Sequence, residues 1–310
     1  MIAVLGALVP IFVLIGLGYA FATYGFPGAG FWLGAERLAY YALFPPLLIR
    51  HLARAQVVGP SVGALGVVVA VTVLSLSLLL LGLRARIPAN GPAFSSVFQG
   101  SVRFNTFVGL AATASLYPDG GLAVASLLLA MLIPLVNVLS VSVLAHAGRA
   151  EGPKPTLSGI VITLSRNPLI LGCAGGIALN LTGIGMPAAL DTMLAPLAQA
   201  ALPVGLLVVG SGFSPHAVRG SGALVAMTSV LKLIVSPLIA TACCWALGLH
   251  GTPAEVIVLF SALPGASSAY ILAGQMGGDR SLMAAILTVQ TALAAVTLPV
   301  AIVLSMPLIR

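Results

Sequence analysis

The stretch SSVFQGSVRFNTFVGLAATASL, Ser95–Leu116, is otherwise the kind of sequence that crosses a bilayer, yet Arg103 and Asn105 stand near its middle and Thr106 follows. On insertion scales a charged side chain at the centre of a membrane helix costs about 2.5–3.5 kcal/mol. A cation and an amide at that depth therefore need a reason. Working outward from this stretch, the whole chain reads as membrane-embedded.

Of 310 residues, 60% are hydrophobic and 6% charged. Soluble domains carry about 25% charged residues, so this chain cannot cover a water-facing surface. The net charge of +7 is spread along the chain with no cluster that could grip a phosphate backbone, which excludes nucleic acid as a partner. Cys173, Cys243 and Cys244 lie in apolar runs without metal or redox spacing and read as small buried hydrophobes. The opening MIAVLGALVPIFVLIGLGYAFA lacks a basic leader and a small-residue cleavage site, and it reads as a first span.

A span needs about 20 apolar residues. Ten such runs are expected, at roughly 2–23, 35–53, 61–83, 93–116, 121–146, 158–181, 187–211, 221–248, 254–275 and 281–307. The odd-numbered connections carry Arg84, Arg86, Arg149, Lys154, Arg219 and Arg280, whereas Arg54 stands almost alone on the even side. The positive-inside bias then puts the odd connections in the cytoplasm and both termini outside, in a bacterial plasma membrane.

Pro10, Gly18 and Pro45 recur as Pro168, Gly176 and Pro203, and YPDGGLAVASLLL has a counterpart in GGDRSLMAAILTV. The shift is close to half the chain. It predicts two five-helix repeats, 1–146 and 158–310, joined by a cytoplasmic linker at 147–157. Five is odd, so the second repeat enters the membrane inverted, an arrangement that places a transporter's site at mid-membrane between the halves.

The counterpart of the opening stretch is SALPGASSAYILAGQMGGD, Ser261–Asp279. Pro264 withdraws a backbone donor, Gly265 frees the chain, and Ser267 and Ser268 can hydrogen-bond locally. Both stretches read as broken helices, tolerated at this depth only beside protein or a water-filled cavity, and exposed N–H groups at half-helix ends attract anions. The other deep cation is Lys232, four residues from Thr228 and from Ser236 and so expected on one helix face with them. No carboxylate is read at matching depth, so an anion would complete the charge; the competing use of each cation is snorkelling or bonding to backbone carbonyls. Asn137, Gln290, Thr291 and Thr297 read as interhelical hydrogen-bonding groups, Asn137 with a supporting part in the site.

RFNTFVGLA (103–111), SRNPLILG (165–172) and LPGASSAYILAGQMGGD (263–279) resemble signature segments of the auxin efflux carrier family, which includes plant auxin exporters and bacterial carriers labelled for malonate or malate. The resemblance covers the whole chain. It implies an all-α fold of two inverted five-helix repeats whose fourth and ninth helices are broken and cross. It also implies a scaffold that forms a homodimer, a moving transport domain and a small organic anion as substrate. Plant members carry Asn and Pro at the first crossover, where this chain has Asn105 preceded by Arg103 and no Pro. At the second crossover this chain keeps Pro264 but has Gly265, Ser267 and Ser268 where they have Asn.

The expected function is secondary transport of a mono- or dicarboxylate by alternating access. Arg103 and Lys232 would supply charge, and Asn105, Thr106, Gly265, Ser267 and Ser268 contacts, with Asn137 and Pro264 in support. No cofactor or metal is expected, and H+ or Na+ coupling stays open. The alternatives are a sodium-coupled bile-acid-type or other inverted-repeat carrier and a non-transporting membrane sensor. An intramembrane enzyme is disfavoured: the histidines lie at span ends, and neither HExxH nor GxSxG occurs.

Overall fold

The computed structural model describes residues 2–28, 30–54, 60–148, 162, 165–218 and 222–309. Among them every regular element is helical. Helix α1 spans Ile2–Thr23; α2, Phe31–Leu38, continues through a five-residue π turn, Ala39–Leu43, into α3, Phe44–Leu52. Then come α4, Pro60–Gly82; α5, Gly91–Val102; α6, Thr106–Leu116; and α7, Gly121–Ala147. The second half holds α8, Pro168–Leu181, and α9, Ala188–Ser211. Helix α10, Gly222–Val230, passes through a second π turn, Leu231–Val235, into α11, Ser236–Ala246. Last come α12, Thr252–Ser261; α13, Ser267–Gln275; and α14, Arg280–Ile309. The expected linker falls mostly on residues 149–161, which lie outside the described residues.

Among the described residues, six helices are long and apolar enough to cross a membrane: Ile2–Thr23, Val62–Gly82, Gly121–Ala147, Ala188–Ser211, Gly222–Ala246 and Arg280–Ile309. Their outward faces are greasy; on α1 the exposed side chains include Ile2, Leu5, Val9, Val13 and Leu17. Water would not tolerate that surface, and lipid does.

Both π turns lie directly before a proline. Pro45 and Pro46 follow the first, and Ser236–Pro237 follows the second. A proline inside a helix has no N–H for the carbonyl four residues back, and its ring collides with that carbonyl. A wider turn relieves the collision without ending the helix. Of the three residues expected on one helix face, Lys232 and Ser236 line one small chamber; the Thr228 hydroxyl donates to the Leu224 carbonyl and its own carbonyl accepts from Gln290.

Glycines let the longest helices touch backbone to backbone. A Cβ on Gly18 of α1 would collide with the Leu207 carbonyl of α9, and one on Gly210 of α9 with the Ile15 carbonyl of α1. Gly176 of α8 lies against Ile49 and Leu52 of α3 in the same manner. Where hydrocarbon surrounds the helices, such small-residue contacts supply the association that the hydrophobic effect supplies in water.

Candidate functional site

The two broken stretches expected from sequence are broken, and they meet. The chain leaves α5 at Val102, is extended at Arg103 and Asn105, and re-enters a helix at Thr106. The second break, residues 262–266, separates α12 from α13. The Asn105 N–H donates to the Pro264 carbonyl at 2.8 Å, joining the breaks through their backbones. Phe104 sets its ring edge-on to Phe260, with centroids 5.7 Å apart. Gly109 packs so closely on Leu263 and Phe260 that a Cβ there would lie 2.6 Å from the Leu263 Cδ1.

Gln290, fully buried on α14, ties the crossing together. Its Oε1 accepts from the Gly265 N–H at 2.8 Å, and its Nε2 donates to the Gly100 carbonyl at 3.0 Å and the Thr228 carbonyl at 3.3 Å. One side chain thus serves backbone groups freed by both interruptions, as polar groups at this depth require. Gly265 is needed for that approach, because a Cβ would lie 2.8 Å from Leu287 Cδ2 and 3.0 Å from Gln290 Oε1.

The half-helix N-termini differ. Asn105 caps α6 with its own side chain, Oδ1 accepting from the Phe107 and Val108 N–H groups at 3.1 and 3.2 Å. Helix α13 begins after Ala266 with no side-chain cap. Its first residue, Ser267, and Asn105 line the same cavity of about 420 Å³. Trp32, Glu36, Phe213, Tyr270, Thr288 and Thr291 form other parts of its wall. Arg103 lies behind this wall, 8% exposed. Its Nη2 donates to the Ser268 hydroxyl at 3.2 Å, whereas Nε and Nη1 are buried without a hydrogen-bond partner. The Arg280 guanidinium stacks 4.7 Å from the Tyr270 ring centroid and donates to its hydroxyl.

The structure therefore brings Arg103, Asn105, Pro264, Gly265, Ser267 and Ser268 together at one crossing. Thr106 is half-buried at the first turn of α6 and Asn137 half-buried on α7, and neither lines the cavity. Lys232 is buried in a separate, smaller chamber across the crossover, with Ser101 and Phe104 among its walls. Sequence reasoning passed over Glu36, the carboxylate of the cavity. It stands near the start of the second expected span, and the packing of α2 against α9 accompanies its place in the cavity wall.

Interrupted helices whose unwound segments meet inside a bundle of apolar spans define a class, the polytopic helical membrane transporters. Within it, the sequence pattern of the membrane transport protein family matches residues 3–302, and the chain belongs to that family, the auxin efflux carrier family that its crossover segments resemble. An uncharacterized transporter of Methanothermobacter thermautotrophicus is 26% identical over 291 residues, 93% of this chain and 94% of that protein. The uncharacterized transporter YfdV of Escherichia coli K12 is 27% identical over 173 residues, 54% of each chain, and YfdV of Shigella flexneri matches to the same extent.

Proposed function

We propose that the protein is a secondary carrier of a small organic anion, a mono- or dicarboxylate, bound at the crossover and moved by alternating access. The observation that carries this reading is the 420 Å³ cavity at whose wall the uncapped N-terminus of α13, Ser267 and Asn105 converge, backed by a buried guanidinium with two unpartnered nitrogens. A carboxylate would take the α13 N–H groups and the Ser267 hydroxyl. Arg103, swinging from Ser268, would complete a charge-assisted pair. Asn105, Gly265 and Gln290 hold the backbone in place, and Thr106 and Asn137 support the helices around it.

An inverted repeat is supported by the exchange of contacts between halves. Gly18 and Gly176 are repeat-related in sequence; Gly18 packs on α9, in the second half, and Gly176 on α3, in the first. The breaks at residues 103–105 and 262–266 also fall at matching places in the two halves. With the odd connections cytoplasmic, the cavity residues at 32–36, 211–214 and 284–291 lie toward the cytoplasm, so this conformation is inward-facing. The carrier is placed in a bacterial plasma membrane with both termini outside, as a homodimer through its scaffold helices.

A second reading has one observation in its favour. Glu36 puts a carboxylate in the same cavity as the Thr288 and Thr291 hydroxyls, which suits a coupling cation, Na+ or H+, entering with the anion. A panel of mono- and dicarboxylates tested by thermal shift on purified protein, with and without sodium, addresses both readings. Stabilisation by carboxylates that disappears in Arg103→Gln, with the variant still inserted in the membrane, is expected. Stabilisation by organic cations and none by carboxylates would overturn the assignment.

A further inference from the structure

We propose that Lys232 holds a small monatomic anion, of the chloride class, in a site separate from the crossover cavity. Lys232 sits on the second π turn, 3% exposed, at the wall of a chamber of about 30 Å³. Thr72 of α4, Ser101 of α5, Ser236 of α11 and Ser261 of α12 bring hydroxyl-bearing residues to the same chamber, and Val73, Leu132, Ile257 and Phe260 form its apolar walls. The ion pairs found among the described residues, Arg50–Asp191 and Arg54–Asp191, do not involve Lys232. The Thr72 Oγ1 is buried without a hydrogen-bond partner, while the hydroxyls of Ser101 and Ser261 donate to carbonyls of their own helices.

A protonated ammonium at this depth requires a counter-charge or it is expelled or neutralised. The chamber's volume decides what can supply it. At about 30 Å³ the chamber is more than ten times smaller than the crossover cavity of about 420 Å³, so it suits a small inorganic anion with a water or two rather than a dicarboxylate, and a metal cation would face the ammonium charge. The unspent Thr72 hydroxyl supplies a donor to an anion, and Ser236, on the same chamber wall as Lys232, is a further hydroxyl-bearing residue. Phe104, which packs on Phe260 at the crossing, also lines this chamber. An ion here therefore braces the break from the side opposite the cavity without entering the substrate's path.

The test is a thermal-shift titration of the purified full chain with sodium chloride and sodium bromide against sodium methanesulfonate at constant ionic strength, with no carboxylate present. The wild type is expected to melt at a higher temperature in either halide, saturably, as ligand linkage requires. Lys232→Met should melt alike in all three salts, and Thr72→Val should need several-fold more halide for the same shift. A wild type indifferent to the anion, as a neutral lysine with bound water would give, overturns the proposal; so does a halide response that survives in Lys232→Met. Should Lys232→Met fail to fold, an unchanged halide midpoint in Thr72→Val overturns it. The carboxylate panel, run separately at fixed chloride, reports on the crossover cavity alone.

Discussion

Replacing Gln290 with Leu keeps the side-chain volume close to constant and removes three hydrogen bonds at once. The Gly265 N–H and the Gly100 carbonyl are the groups exposed by the two breaks, and Gln290 serves both, at 2.8 and 3.0 Å, from a fully buried position. Leaving a buried backbone group unsatisfied costs about 1–3 kcal/mol, so the two together give about 2–6 kcal/mol; the longer bond to the Thr228 carbonyl is a smaller addition. In a protein of this size each kcal/mol lowers the melting temperature by about 2–4 °C, which makes a drop of about 5 °C or more the expected result. Melting of detergent-purified protein, followed by intrinsic fluorescence and by the monodisperse fraction left after heating, gives the measurement. Asn137→Leu, half-buried and outside both cavities, serves as the control and should move the transition by much less. A Gln290→Leu variant that melts within a degree or two of the wild type would refute the idea that this side chain is what keeps two unwound segments satisfied in the lipid interior.

Asn105→Ala removes the cap of α6 and should destabilise by about 1 kcal/mol, with uptake in proteoliposomes falling far more than stability does. Asn105→Asp keeps an acceptor for the Phe107 and Val108 N–H groups, so its melting temperature should hold while a new negative charge in the cavity abolishes anion uptake. Gly109→Ala puts a methyl 2.6 Å from Leu263 Cδ1, and overpacking of this kind should cost about 1–3 kcal/mol in the same melting assay. Glu36→Gln takes a like charge out of the cavity and should tighten organic-anion binding by up to about tenfold, about 1.4 kcal/mol, in a thermal-shift titration; weaker binding would instead speak for a coupling cation at Glu36.

Sequence made the breaks legible because lipid leaves few other uses for the residues there. Pro264 and Gly265 cannot continue a helix unaided, and Arg103 with Asn105 would be expelled from an intact one. The long spans were legible for the same reason, as runs of apolar residues with no water to face. What sequence could not supply was azimuth. Arg103 and Lys232 share depth, and depth alone suggested one electropositive pocket, yet Arg103 bonds Ser268 at the crossing while Lys232 lines a separate chamber, a difference of helix face that apolar sequence does not record. Glu36 was hidden by its position near a span end, where carboxylates ordinarily meet water. Gln290 was recognised as a hydrogen-bonding residue between helices, but that it serves both halves at once depends on α14 passing beside both breaks.

The unequal half-helix ends have a kinetic meaning. Under the proposed alternating-access cycle, helix α6 would carry its own cap wherever the crossing moved, leaving that end indifferent to cargo. Helix α13, with no side-chain cap, would turn the Ser267 and Ser268 amides to whatever occupies the cavity. During an unladen return through the membrane those amides would have to be shielded from hydrocarbon by water dragged along with them, which raises the barrier for the empty stroke relative to the loaded one. Exchange of labelled for unlabelled solute across a vesicle wall should therefore outpace net efflux into solute-free buffer.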